Sequence, residues 1–174
     1  AGRFIVHGRH DRGKVAANAI GIEIEAALAF GTGHHGTTRG CLILLDALLR
    51  RRRPRRVLDL GAGTGVLAIA AAKRLRARVI ATDIDPRAAI VAAENARLNG
   101  VGGLIESIHA TGFVSPRIRA GAPFDLVLAN ILAPPLRRLA RPMAHHLAPD
   151  AEIILSGLLP TQAAGVIDAY RAHG

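Results

Sequence analysis

The sequence predicts an α/β fold, a Rossmann-like parallel sheet with helices on both faces, and three observations carry that expectation. Short runs rich in Val, Ile and Leu alternate with longer segments of helical spacing. The first strong strand, 56 to 60, breaks into Gly61-Ala62-Gly63-Thr64-Gly65 and runs on into a helix. Strands this uniformly apolar need cover on both faces, which crossover helices supply.

The elements follow in order. Residues 1 to 30 open irregularly, with short extended candidates at Arg3 to His7 and Ala19 to Glu25 broken by His10, Asp11 and Gly13. A glycine-rich loop, Gly31-Thr32-Gly33-His34-His35-Gly36, leads through Thr37-Thr38 to an amphipathic helix ending near Leu49, in which Cys41, Leu44, Leu45 and Leu48 are read as core. Strands are expected at Arg56 to Leu60, Arg78 to Asp83, Leu104 to His109, Phe124 to Asn130 and Glu152 to Ser156. Helices fill the gaps at Gly65 to Leu75, Pro86 to Asn99, Pro135 to Leu147 and Thr161 to Ala172. Leu136, Leu139, Ala140, Met143 and Leu147 form one apolar stripe, and Pro86 suits a first helical turn behind Asp85 as N-cap.

Composition narrows the class. A chain of 174 residues buries roughly 70% of its unfolded surface without staples. The single cysteine, Cys41, excludes an internal disulfide and a cysteine-based metal site, and points to a reducing cytosol. No charged-then-apolar leader opens the chain, and no apolar run approaches the roughly 18 to 20 residues of a membrane span. The net charge is +10, and of 23 basic residues all but Lys14 and Lys73 are arginine. Arginine suits phosphate and carboxylate recognition, although the densest run, Arg50 to Arg56, falls where a solvated loop belongs. With one Tyr, four Phe and no Trp, a base-stacking platform is poorly supported.

The glycines mark a site. Gly61, Gly63 and Gly65 let a ligand approach bare backbone, and Asp83, about 20 residues on, can accept both hydroxyls of a ribose. Val66 stands where the dinucleotide fingerprint wants its third glycine, which tilts the reading from NAD towards S-adenosylmethionine (SAM). In a parallel sheet the glycine loop, Asp83 and Asn130 all emerge at the carboxyl ends of strands, on one rim. Asp59 is expected to support the glycine loop and Asp85 to cap a helix. Thr37 and Thr38 also suit a helix cap. His34 and His35 have no second ligand pair at metal-binding spacing, so no metal is expected.

Ala29-Phe30-Gly31-Thr32-Gly33-His34-His35-Gly36-Thr37-Thr38, the Asp59 to Gly65 loop, Asp83-Ile84-Asp85-Pro86, Ala129-Asn130-Ile131-Leu132-Ala133 and Leu155-Ser156-Gly157-Leu158 together resemble the bacterial ribosomal protein L11 methyltransferases. The glycine loop alone implies only a class I SAM-dependent methyltransferase; the Phe-Gly-Thr-Gly loop with Asn-Ile-Leu-Ala is more specific. The resemblance implies SAM contacts at Thr38, Gly61, Asp83 and Asn130, a place for His35 in the cofactor pocket, and amines of ribosomal protein L11 as methyl acceptors. It implies that the Asn130 carbonyl accepts the amine hydrogens, with no dedicated general base. It also implies a division into a linker and cofactor-lid loop at 1 to 36 and a SAM-binding domain at 37 to 174, lacking the last two strands of the family fold, with Glu152 to Ser156 as an open edge. The family's Thr-His-Pro is His34-His35-Gly36 here.

Two other readings stay open. A nucleic-acid (RNA) methyltransferase is favoured by the arginines and by Asn130, but Ile131, Leu132 and Ala133 supply neither the prolines nor the aromatic of the amino-methylating motif. A non-catalytic cofactor-binding fragment is the second.

Overall fold

The computed structural model describes residues 1–25 and 36–174. Two short strands, β1 (Phe4–His7) and β2 (Ile20–Glu23), pair in parallel around a 3₁₀ turn at Arg9–Lys14. The chain then alternates: α1 (Gly36–Arg51), β3 (Val57–Leu60), α2 (Val66–Leu75), β4 (Val79–Asp83), α3 (Pro86–Leu98), β5 (Ile105–His109), α4 (Pro116–Gly121), β6 (Phe124–Asn130), α5 (Ala133–Ala144), β7 (Leu147–Ser156) and, after a 3₁₀ turn, α6 (Ala163–Arg171). The five long-range strands lie in the order β5-β4-β3-β6-β7, every pair parallel. This is the Rossmann-like sheet that the alternating pattern predicts, and its direction of winding reverses at β3, beside β6.

Two hydrophobic clusters sandwich the sheet. One joins α1, α2 and Ala96 of α3 to strand residues such as Val57, Val79 and Leu126; the other joins Ile118, Leu136, Met143 and Val166 of α4, α5 and α6 to Leu58, Val127 and Ala129. Alternate residues of β3 face opposite clusters, as a strand covered on both sides requires. Helix α2 is buried along Val66 to Ala72, and its alanines allow close approach to the sheet. Phe4, Ile22 and Ile24 belong to the first cluster, and Asn99 both accepts from Glu23 N (2.9 Å) and donates to Glu23 O (2.7 Å). The opening segment is thereby fastened to the helical layer.

The structure revises several boundaries. Leu44 is 55% exposed, and the buried stripe of α1 runs instead through Thr38, Cys41, Leu42, Leu45, Leu48 and Leu49, because helical rotation carries Leu44 past the edge of the packed face. Helix α5 ends at Ala144 and Leu147 opens β7, so Leu147 belongs to a strand and not to the helical stripe. The His146 backbone carbonyl accepts from Phe124 N at 2.8 Å and draws the chain into the sheet there. Helix α4 has no counterpart in the expected elements; its signal is Ser115, which caps Arg117 N at 3.2 Å ahead of Pro116. Strand β7 is an edge of the sheet, yet Ile154 is buried and Ile153 and Leu155 pack on the second cluster.

Candidate functional site

Three strand ends build the site. β3 ends at Leu60, paired with Thr82 of β4 on one side and Ala129 of β6 on the other, so the residues that follow emerge together. Those residues are Gly61, Asp83 and Asn130. The single rim expected from the sequence is present.

Each glycine of the loop has a different task. All three have positive φ: 67° at Gly61, 55° at Gly63 and 80° at Gly65. A Cβ on Gly61 would collide with Cγ2 of Ile131, whereas one on Gly63 would meet nothing within 4 Å. Gly63 therefore leaves its backbone open to a ligand. At Gly65 a Cβ would lie 3.1 Å from Cβ of Ala92 on α3, so this glycine serves the packing of α2 on α3; its bare side does not face the rim.

Asp83 stitches the rim together. Its Oδ2 accepts from Gly63 N and its Oδ1 from Asp85 N, both at 2.9 Å. A carboxylate has about four lone-pair sites, so two acceptor positions remain for ribose hydroxyls. Asp85 accepts from Arg87 N at 2.8 Å and is the N-cap of α3. Asp59 accepts from Ala68 N at 2.9 Å, so it holds the first turn of α2 and makes no bond to the glycine loop itself. Burial pushes its carboxyl up to about 7 against the opposing pull of the Ala68 hydrogen bond, and the charge of Asp83 adds to the rise.

Asn130 closes β6. Its Nδ2 donates to Thr38 Oγ1 at 3.1 Å, while its Oδ1 is buried and meets no hydrogen-bond partner among the described residues. Thr38, in the first turn of α1, is itself only 4% exposed and fixes the Asn130 amide through this bond. An orphaned buried carbonyl oxygen costs about 1 to 3 kcal/mol, and a donor arriving from a ligand would relieve it.

Two clefts meet at this rim. One of about 500 Å³ runs from Leu60, Gly61 and Asp83 past Ile84 and Ala110 to Ile131 and Leu132. The second, about 760 Å³, is bounded by Thr37, Thr38, Asn130 and Gly157 to Leu159, and shares Ile131 and Leu132 with the first. Ile84 and Leu132, each 70% exposed, put apolar surface where the chain leaves the sheet. The mostly apolar first cleft has the size and lining for a planar base beside Asp83. Asn130 stands in the second cleft, next to the shared wall. In the sequence Ile84 and Leu132 stand only as members of the family motifs, with no role of their own; their signal is a large apolar side chain immediately after the acid and just after the asparagine. Gly157 completes the wall: its φ is 86°, and a Cβ there would lie 2.5 Å from the Ile131 carbonyl oxygen. The expected place of His35, and the loop from Ala29 to His35, lie outside the described residues.

The sequence profile described as "Ribosomal protein L11 methyltransferase (PrmA)" matches residues 1–174. A ribosomal protein L11 methyltransferase of Rhodopseudomonas palustris is 70% identical over 174 residues, all of this chain and 59% of that protein. One from Bradyrhizobium diazoefficiens is 68% identical, again covering all of this chain and 59% of the relative. The chain thus spans 59% of the length of these curated relatives. Among solved structures, a ribosomal protein L11 methylase of Lactobacillus delbrueckii subsp. bulgaricus superposes with a TM-score of 0.86 at 30% identity, over 99% of this chain and 86% of that one.

Proposed function

This chain belongs to the ribosomal protein L11 methyltransferase family, and on that premise we propose that it is the SAM-binding catalytic part of a protein N-methyltransferase acting on amines of a ribosomal protein. Residues 37 to 174 form the cofactor-binding domain, onto whose helical layer the opening strands pack through Phe4, Ile22 and Ile24. No helix among the described residues is long and apolar enough to cross a membrane; with a ribosomal protein as substrate, the proposed location is the cytoplasm.

The residues fit the cofactor. Asp83 retains two acceptor positions for ribose hydroxyls, Gly63 offers open backbone, and Ile84 with Ala110 lines an apolar slot for the base. When bound, SAM supplies a methyl group already activated by its sulfonium, which leaves the protein to align donor and acceptor and to exclude water.

The acceptor amine must be neutral. For a lysine of pKa about 10.4, deprotonation at pH 7 costs about 4.6 kcal/mol, and for an α-amine of pKa about 8 about 1.4 kcal/mol. Leu132, Leu158 and Leu159 surround the second cleft with apolar surface that disfavours the charged amine. Thr38 holds the Asn130 amide so that its Oδ1 is free to accept an amine N–H and orient the lone pair. The Asn130 Oδ1, in the wall of the second cleft and without a hydrogen-bond partner among the described residues, is the observation that carries the reading.

The test is Asn130→Ala in the complete enzyme, followed by transfer of labelled methyl to L11 and by SAM calorimetry. Turnover is expected to fall more than cofactor affinity, since a misoriented nucleophile loses rate with the donor still bound. Equal losses would reduce Asn130 to a cofactor contact. Methylation of RNA in place of the protein would favour the nucleic-acid reading.

A further inference from the structure

We propose that the end of the sheet opposite the glycine loop is a second, non-catalytic binding surface, built for the phosphate backbone of RNA. At the amino ends of β3 to β6 a cleft of about 480 Å³ is walled by Arg55, Arg56, Arg78 and Arg117, with Glu106. Arg117 is engaged with Glu106 through an Nε–Oε1 contact of 2.7 Å. The other three guanidinium groups have no carboxylate partner among the described residues, and all three side chains are exposed. Arg51 and Arg53 extend the unpaired charge along the same connection.

What separates this cluster from an ordinary solvated loop is the rigidity of its base. Asp125 accepts from the backbone amides of Arg55 and Arg56, each at 2.8 Å, and Pro54 is buried. Asp125 therefore fixes the backbone without closing on either guanidinium. Planar guanidinium forks on a fixed base match phosphate oxygens at low entropic cost. Five arginines without a carboxylate partner among the described residues, of which Arg56 donates only to the Ala122 carbonyl at 3.5 Å, exceed what one small anion can satisfy, which favours a polymer. The chain has no Trp, and the aromatic ring beside the cleft, Phe124, is 1% exposed. Bases then have nothing to stack on, and the contact reads backbone, not sequence.

The surface is independent of the cofactor site. β3 separates the two ends by four residues, about 13 Å of strand.

A fluorescein-labelled RNA hairpin titrated with this chain at 50 and 200 mM KCl tests the proposal by anisotropy. Five phosphate contacts give a log–log salt slope of about −4.5, or roughly a five-hundredfold loss of affinity over that range. Arg55→Glu with Arg78→Glu is expected to flatten the slope by about two units. Arg141→Glu with Arg171→Glu, on α5 and α6, changes net charge equally and should leave the slope in place. The milder Arg55→Gln with Arg78→Gln repeats the measurement, and SAM calorimetry on every variant reports folding. Equal slopes in both glutamate doubles, no hairpin binding by the unaltered chain, or displacement of the RNA by poly-glutamate at equal charge would each overturn the proposal. Failure of the unaltered chain to bind SAM would count against the methyltransferase reading and leave this one standing.

Discussion

Replacing Asp83 by alanine removes two kinds of interaction at once, and the structure separates them. Internally, the carboxylate accepts from Gly63 N and Asp85 N, both at 2.9 Å; losing both bonds at the partly solvated rim costs about 1 to 3 kcal/mol of stability. Externally, the two remaining lone-pair positions would accept ribose hydroxyls, and charge-assisted bonds of that kind are worth about 1.5 to 3 kcal/mol of binding. That corresponds to a roughly 10- to 150-fold weaker Kd for SAM. Asp85 provides the control, because it sits two residues away and caps Arg87 N at 2.8 Å. Asp85→Ala should cost about 1 kcal/mol of stability and leave SAM affinity unchanged. Urea denaturation gives the first quantity and titration calorimetry the second. An Asp83→Ala chain that binds SAM as tightly as the unaltered one, or an Asp85→Ala chain that loses affinity equally, would refute the assignment of the ribose acid.

Gly61→Ala combines a φ of 67° with a collision against Ile131; about 1 to 2 kcal/mol of left-handed strain and about 1 to 3 of overpacking are expected. Adding Ile131→Ala should recover the overpacking part, so a double-mutant cycle with no coupling would contradict the packing described. Asp59 titrates near 7 in the folded chain against an ordinary value of 3.8, so its contribution to stability is full below about pH 4 and declines as pH rises through about 7. Asp59→Asn keeps an acceptor for Ala68 N, and urea titrations should show it stabilised at pH 8 with a flatter profile between these limits; an unchanged profile would mean that Asp59 is not the titrating group. Burial pushes the Cys41 thiol up to about 11, so iodoacetamide at pH 8 should label it only after unfolding, and rapid labelling of the native chain would contradict its place in the core.

The sheet was legible because its strands other than β5, which reads Ile-Glu-Ser-Ile-His, carry short apolar runs bounded by turn residues, and the glycine loop and Asp83 identify the rim through chemistry that depends on spacing. Local pattern failed where tertiary contacts overrode it. Leu147 fits the helical stripe of α5 by periodicity, yet pairing with Phe124 places it in β7. Leu44 fits the stripe of α1 but lies beyond the packed face. Asn130 could be placed at a strand end from sequence, but the bond from its Nδ2 to Thr38 joins residues 92 positions apart, and no local pattern carries that. Gly65 illustrates the same limit, since a glycine that packs helices reads identically to one that admits a ligand.

The proposed function requires the rim formed by Gly61, Gly63 and Asp83 to hold the nucleoside of SAM. Calorimetric titration of the chain with SAM and with NAD, side by side, tests it most directly. Saturable one-to-one binding of SAM, weakened roughly 10- to 150-fold in Asp83→Ala, is expected, with no comparable binding of NAD. Preference for NAD, or SAM binding indifferent to Asp83, would contradict it.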